Sequence, residues 1–249
     1  MSSPIPAELA ERLQNEARLR KSPNVRPRDA ATLILLDRSG ATTLVLLGRR
    51  HAGHKFMPGK YVFPGGRIEP SDRRMSIAGP LDAIVEEKLN AQTKRPSPGF
   101  ARALALAAIR ETFEETGLAI GVTDHGAPPE APTGAWTRFA ATGVFPALDG
   151  LDFVARAITP PHRPKRFDTR FFVADAALIA HRTPDVINPD AELVELVWTP
   201  IDEATKLDLP LITHVVLAEL AAATKAGMDR FRGRPFYREL HKRWLREEL

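Results

Sequence analysis

Two strongly apolar segments, residues 30–37 and 42–49, are separated only by Arg38-Ser39-Gly40-Ala41. Short apolar runs joined by Ser-Gly turn chemistry predict a β-hairpin. A short strand over 61–64 is expected to enter Gly65-Gly66, and further strands are expected over 118–122, 152–159, 166–173 and 192–198. Alternation along 166–173 puts Phe167, Thr169, Phe171 and Val173 on one face and Asp168, Arg170 and Phe172 on the other. In 192–198, Glu192, Val194, Leu196 and Trp198 share a side and Glu195 takes the opposite one.

Between these strands the pattern turns helical. Leu9, Leu13 and Ala17 recur at helical spacing over 7–20, where Pro23 and Pro27 then break the pattern. Residues 81–91 read as a helix capped near Asp82, followed by a Pro-rich loop over 93–99. The Ala- and Leu-rich stretch from Phe100 is a strong helix former, and Gly117 supplies the left-handed residue that ends such a helix. Residues 124–132 form a Gly/Pro-rich loop, while 136–145 and 201–206 read as short helices. A long amphipathic helix over 210–225 is opened by Pro210 at a tolerated first-turn position. The tail, 235–249, reads as a basic-acidic helix bearing Trp244, a packing or homodimer element. This divides the chain into an N-terminal extension (1–28), a main domain (29–209) and C-terminal helices (210–249).

Chemistry concentrates at the end of the helix before Gly117. Glu111, Glu114 and Glu115 stand at i, i+3 and i+4, so their carboxylates share one side. Like charges at that spacing destabilise a helix by about 0.2–0.5 kcal/mol, and the helix C-terminus already disfavours anions. A divalent cation would offset both costs, and hard oxygen donors that leave room for water suit Mg²⁺ or Mn²⁺. Arg110, four residues before Glu114, can brace that carboxylate. Upstream, Gly65 and Gly66 allow close backbone approach and positive φ. Arg49, Arg50, His51, His54 and Lys55 cluster at the end of the second apolar run, where a phosphate contact competes with simple solvation. His51 and His54 lack a third ligand and read as surface residues.

Charge and composition narrow the partner. The 249 residues carry a formal net charge of +4 and no cysteine, and the pI is near 9.6. A basic chain points to an anionic ligand. Zinc-finger spacing, an aromatic-basic RNA signature and a helix-turn-helix are all missing, so a phosphate-rich small molecule is expected rather than nucleic acid. Without cysteine there is no disulfide, thiolate metal site or cysteine nucleophile. No apolar run approaches twenty residues, so no membrane span is expected. The N-terminus lacks a signal pattern and the Glu-Glu-Leu ending differs from a Ser-Lys-Leu address, which makes a cytoplasmic location the expectation.

Arg110-Glu111-x-x-Glu114-Glu115-x-Gly117-Leu118, preceded by Phe63-Pro64-Gly65-Gly66, resembles the box of the Nudix hydrolases. Gly66 matches the first box position. Asp72 stands where the family has its first Glu, Thr112 occupies a normally hydrophobic position, and an insertion of about residues 73–102 interrupts the box. The interrupted box, with Arg166-Phe167-Asp168-Thr169 after it, resembles the subgroup typified by the peroxisomal coenzyme A diphosphatase. The resemblance covers about residues 30–211. It implies an α/β/α sandwich with a mixed sheet, and metal-dependent hydrolysis of a nucleoside diphosphate-linked small molecule. Coenzyme A or an acyl derivative is then the best candidate substrate. ADP-ribose, a nucleotide sugar or a dinucleoside polyphosphate is the alternative, and a non-catalytic ligand-binding regulator is the rival of another class.

The resemblance also implies roles. Glu111, Glu114 and Glu115 would hold the metal, with Arg110 orienting them. Gly65, Gly66, Arg49, Arg50, Lys55, Arg166 and Arg170 would contact substrate. Glu192 or Glu195 could add an acidic group from outside the box. A coenzyme A signature is partly present: Leu46, Leu47 and Gly59 fit, Lys55 replaces its Arg, and Gly48, Arg50 and His51 replace its Thr/Ser positions. The insertion is expected to form a wall of the site.

Overall fold

The structure, a computed structural model, describes residues 7–17, 22–54 and 57–249. Its axis is strand β1 (Arg28–Asp37), whose successive side chains feed two different cores. Leu33 and Leu35 turn to one face, Ile34 and Leu36 to the other, as the period of two requires. Helix α3 (Pro98–Thr116) covers the first face. The short α5 (Ile201–Ala204) and helix α6 (Leu211–Lys225) cover the second, with Leu9 and Leu13 of α1 (Ala7–Ala17) packed there too. Residues 18–20 of the expected N-terminal helix lie outside the described residues.

β1 meets β2 (Leu44–Arg50) antiparallel at Leu36↔Val45 and Asp37↔Leu44, which is the expected hairpin. The two strands then diverge. β1 takes β4 (Gly65–Arg67) on that side, while β2 pairs with β3 (Tyr61–Val62) and β9 (Leu193–Pro200). On its other side β1 runs parallel to β7 (Phe167–Asp175) from Arg28 to Leu36, and β7 pairs antiparallel with β6 (Asp152–Ile158). The sheet is therefore mixed, and with helices on both faces it forms the expected α/β/α sandwich. A separate two-stranded sheet joins β5 (Leu118–Ile120) to β8 (Ile179–Arg182) beyond the end of α3.

The tail departs from its expected helix. Strands β10 (Pro235–Leu240) and β11 (Arg243–Glu248) form an antiparallel hairpin, and β10 continues the main sheet beside β6. His241 and Lys242 make the turn at positive φ. The alternating charges that resemble a helical face are cross-strand partners instead. Arg238 pairs with Glu247, while Phe236 and Tyr237 are buried. Likewise the helix expected over 136–145 is only α4 (Ala135–Ala140). Gly143 adopts a φ of 79°, and Phe145 bridges to Val122.

Apart from Arg73, the insertion lines none of the cavities around the site. Its helix α2 (Ala83–Asn90) is capped by Asp82, which accepts from the Ile84 and Val85 amides. Met75, Val85 and Leu89 are buried in the α3-side core, and Arg156 donates to the carbonyls of Ala91 and Gln92. No residue of 75–98 lines the cavities around the acidic residues. Replacing 75–98 with a short Gly/Ser linker should therefore destabilise the protein outright, since each large buried apolar side chain lost costs about 2–5 kcal/mol. Thermal unfolding followed by circular dichroism measures this. An unchanged midpoint would make the insertion dispensable.

Candidate active site

The site is assembled at the last two turns of α3. Ser97 caps the helix by accepting from the Phe100 amide, and Pro98 opens it, so α3 starts inside the stretch read as a Pro-rich loop. Its far end is set by Gly117 at φ 75°. Thr112 is fully buried and returns its hydroxyl to the Ala108 carbonyl at 2.8 Å. A small side chain suits that packed turn.

Arg110 is the hub. Its guanidinium, 3% exposed, donates to both carboxylate oxygens of Asp72 at 2.8 and 3.2 Å and to the Arg67 carbonyl at 2.8 Å. The same group reaches Glu111 at 3.0 Å and Glu114 at 2.7 Å. Burial alone would lower the Arg110 pKa, but Asp72, Glu111 and Glu114 outweigh it and hold the pKa above its ordinary value. Asp72 is itself wholly buried and accepts from Trp136 Nε1 at 3.0 Å and from the Glu69 amide at 2.7 Å. The shorter acid is thus placed as a partner for Arg110, within the walls rather than in the cavity.

The remaining carboxylates are crowded. Burial, opposed by Arg110 and reinforced by Glu114 and Asp72, pushes Glu111 up to about 7. Burial and the neighbouring charges of Glu192 and Glu111 hold Glu115 well above the ordinary carboxylate range, against the Gly65 amide and Arg50. Glu115 accepts from that amide at 3.1 Å. Glu69, Glu111, Glu114, Glu115 and Glu192 line one cavity of about 230 Å³. Among the described residues no three acidic or histidine side chains already close on one point as a cage. Glu111 and Glu114 are turned towards Arg110. Mg²⁺ retains several waters and needs only one or two carboxylates, so this set of hard oxygen donors fits it without a closed cage.

Gly65 and Gly66 lie in a strand, and neither takes the positive φ that glycine allows. Their need is for space. A Cβ on Gly65 would sit 2.6 Å from the Ala31 carbonyl oxygen, and one on Gly66 would overlap the Glu111 carboxylate. Gly66→Ala should displace Glu111 and lower kcat by about tenfold or more, the scale of a misplaced reacting group. Unchanged steady-state kinetics would contradict that reading.

The other candidates separate. Arg50 pairs with Glu192 at 2.8 Å and lines the adjoining cavity of about 430 Å³ with Gly65, Gly66, Glu111 and Glu115. Arg49 is held instead by Glu195 at 2.6 Å across β2 and β9, with Tyr61 on the same carboxylate. Arg170 is 1% exposed, engaged by Asp29 and Asp168, and faces Phe100. Arg166 braces the chain through Thr159, Asn24 and Val25. Neither Arg166 nor Arg170 reaches the carboxylates. Lys55 lies outside the described residues. Glu69 and Trp136 escaped the sequence reading because neither belongs to a spaced motif.

A Nudix hydrolase from Alicyclobacillus acidocaldarius superposes with a TM-score of 0.62 at 28% identity, covering 84% of this chain and 97% of that one. The chain has the Nudix fold. A Caenorhabditis elegans protein named as a nudix hydrolase is 27% identical over 192 residues, 71% of this chain and 54% of its own length. The chain thus spans about half the length of that curated relative. No family model matches. Within the Nudix box, the structure brings Gly66, Asp72, Arg110, Glu111, Glu114 and Glu115 into one cluster despite the insertion.

Proposed function

We propose that the chain is a Nudix-type diphosphatase acting on a nucleoside diphosphate-linked small molecule, with coenzyme A or an acyl derivative as substrate. The observation that carries the reading is the pair Glu111 and Glu114 braced by Arg110, with Glu115 beside them on the Gly65 amide, directly against the Gly65-Gly66 strand. Glu111, Glu114 and Glu115 would hold Mg²⁺ or Mn²⁺. When bound, such a cation neutralises charge developing on the phosphoryl oxygens and generates the nucleophile from water.

The chain's own residues do the positioning. Arg110 fixes two of the carboxylates and is fixed in turn by Asp72, so their geometry is set before ligand arrives. Gly65 and Gly66 line the cavity shared with Glu111 and Glu115, where the diphosphate would lie. Arg50 supplies positive charge on the same cavity, and Glu192, which lines both cavities, is the acidic candidate from outside the box. Glu195 is committed to Arg49. The coenzyme A choice rests on the sequence resemblance. No described helix is long and apolar enough to cross a membrane. A cytoplasmic location stays part of the proposal and is checked by cell fractionation.

The test is a panel of coenzyme A, ADP-ribose, a nucleotide sugar and a dinucleoside polyphosphate, each with Mg²⁺ and with Mn²⁺, products identified by mass. Release of 3′,5′-ADP and phosphopantetheine is expected. Cleavage of another member with coenzyme A untouched would replace the substrate. Binding without any metal-dependent turnover would favour the regulator.

A further inference from the structure

A groove of about 1100 Å³ adjoins the acidic cavity and has no part in the reaction chemistry above. Its cationic lining consists of Arg26, Arg28, Arg67, Arg73, Lys165 and Arg166; Asp29 and Glu69 are its acidic members. These residues come from three separate places: the approach to β1, the segment around and after β4, and the start of β7. Asp29 is already engaged by Arg170 at 2.9 Å. Among the described residues, no ion pair or side-chain hydrogen bond involves the side chains of Arg26, Arg28, Arg67 and Arg73.

The walls are braced. Arg166 donates to the Thr159 and Val25 carbonyls and to Asn24 Oδ1, and the Arg28 amide donates to the Arg166 carbonyl at 3.0 Å. The segment carrying Arg26 and Arg28 is thereby tied to β7. The groove is also continuous with the site. Glu69 lines it and the acidic cavity, while Arg67, Lys165 and Phe167 line it and the cavity holding Gly65, Gly66, Glu111 and Glu115.

Guanidinium groups that line one groove repel one another unless an anion intervenes. A phosphate matches them, since Arg26, Arg28, Arg67 and Arg73 can each offer it a two-pronged, charge-assisted contact. We propose that this groove is a phosphate subsite, which takes a second phosphate of the ligand apart from the diphosphate held near Glu111 and Glu115. The inference deepens the diphosphatase reading and rests on it for where the first phosphates sit. Two ligand types supply such a group: a nucleotide phosphorylated on its ribose, and one with a longer phosphate chain.

The test is calorimetric titration of the full chain in Mg²⁺ with adenosine 5′-monophosphate, adenosine 3′,5′-bisphosphate and adenosine 5′-triphosphate. It is repeated with the Arg26→Ala/Arg73→Ala and Arg26→Lys/Arg73→Lys double variants. The wild type should prefer a ligand bearing the added phosphate by about tenfold or more, the scale of one charge-assisted hydrogen bond. Preference for the bisphosphate identifies the ribose phosphate; preference for the triphosphate identifies the longer chain. The Ala variant should lose most of the preference and the Lys variant should keep part of it. A wild type without preference, or an Ala variant that retains it, overturns the proposal. If no diphosphate is cleaved at all, the hydrolase reading fails, while these affinities still decide the groove.

Discussion

Glu115→Gln is expected to lower turnover by about a hundredfold or more, the scale of removing a group that acts on charge developing in the transition state. The amide keeps the shape of the side chain and can still accept from the Gly65 N–H, which Glu115 meets at 3.1 Å. What disappears is a negative charge, 7% exposed and crowded by Glu111 and Glu192. The fold should therefore survive, and the metal-free protein should melt at the same temperature or higher, because a buried charge no longer has to be desolvated. Steady-state kinetics across a Mg²⁺ titration, with a melting curve on the same sample, separate the two effects. Near-wild-type turnover at saturating Mg²⁺ would remove Glu115 from the proposed ligand set.

Arg110→Ala should act on stability as much as on activity. Asp72 would stay buried among Trp136 and the Glu69 amide without its cation, and the Arg67 carbonyl would lose its donor. Breaking one side of a buried ion pair costs about 3–5 kcal/mol. Glu111 and Glu114 would also lose the group that aligns them, so residual activity should be negligible even where the variant folds. Arg110→Lys should recover only part of the loss, since an ammonium cannot reproduce the planar fork that serves five acceptor oxygens. A denaturant midpoint shifted at constant m-value is the expected signature. A midpoint matching the wild type would show that Asp72 is stabilised by Trp136 and the Glu69 amide alone.

The sequence by itself determined the elements whose periodicity is strong and local. The apolar runs that became β1 and β2, the Ala-rich helix ending at Gly117, and the alternation that sends Phe171 and Phe172 to opposite cores were all legible from side-chain spacing. So was the acidic side of α3, because a helix places i, i+3 and i+4 together whatever surrounds it.

Only the tertiary structure decided which charges face the site. Arg49 and Arg50 look alike in sequence, as do Glu192 and Glu195, yet cross-strand register ties Arg49 to Glu195 and leaves Arg50 beside Glu192 and the cavity. Arg170 and Arg166 were drawn into packing by partners 141 or more residues away in the chain. The tail shows the same limit. Alternating charges over 235–249 are compatible with a helical face or a hairpin, and the open edge of β6 selected the hairpin by offering backbone partners to β10. Close approach rather than positive φ is what requires glycine at Gly65 and Gly66. Its missing Cβ admits the β1 backbone and the Glu111 carboxylate, and such a close approach exists only once strand and helix have packed.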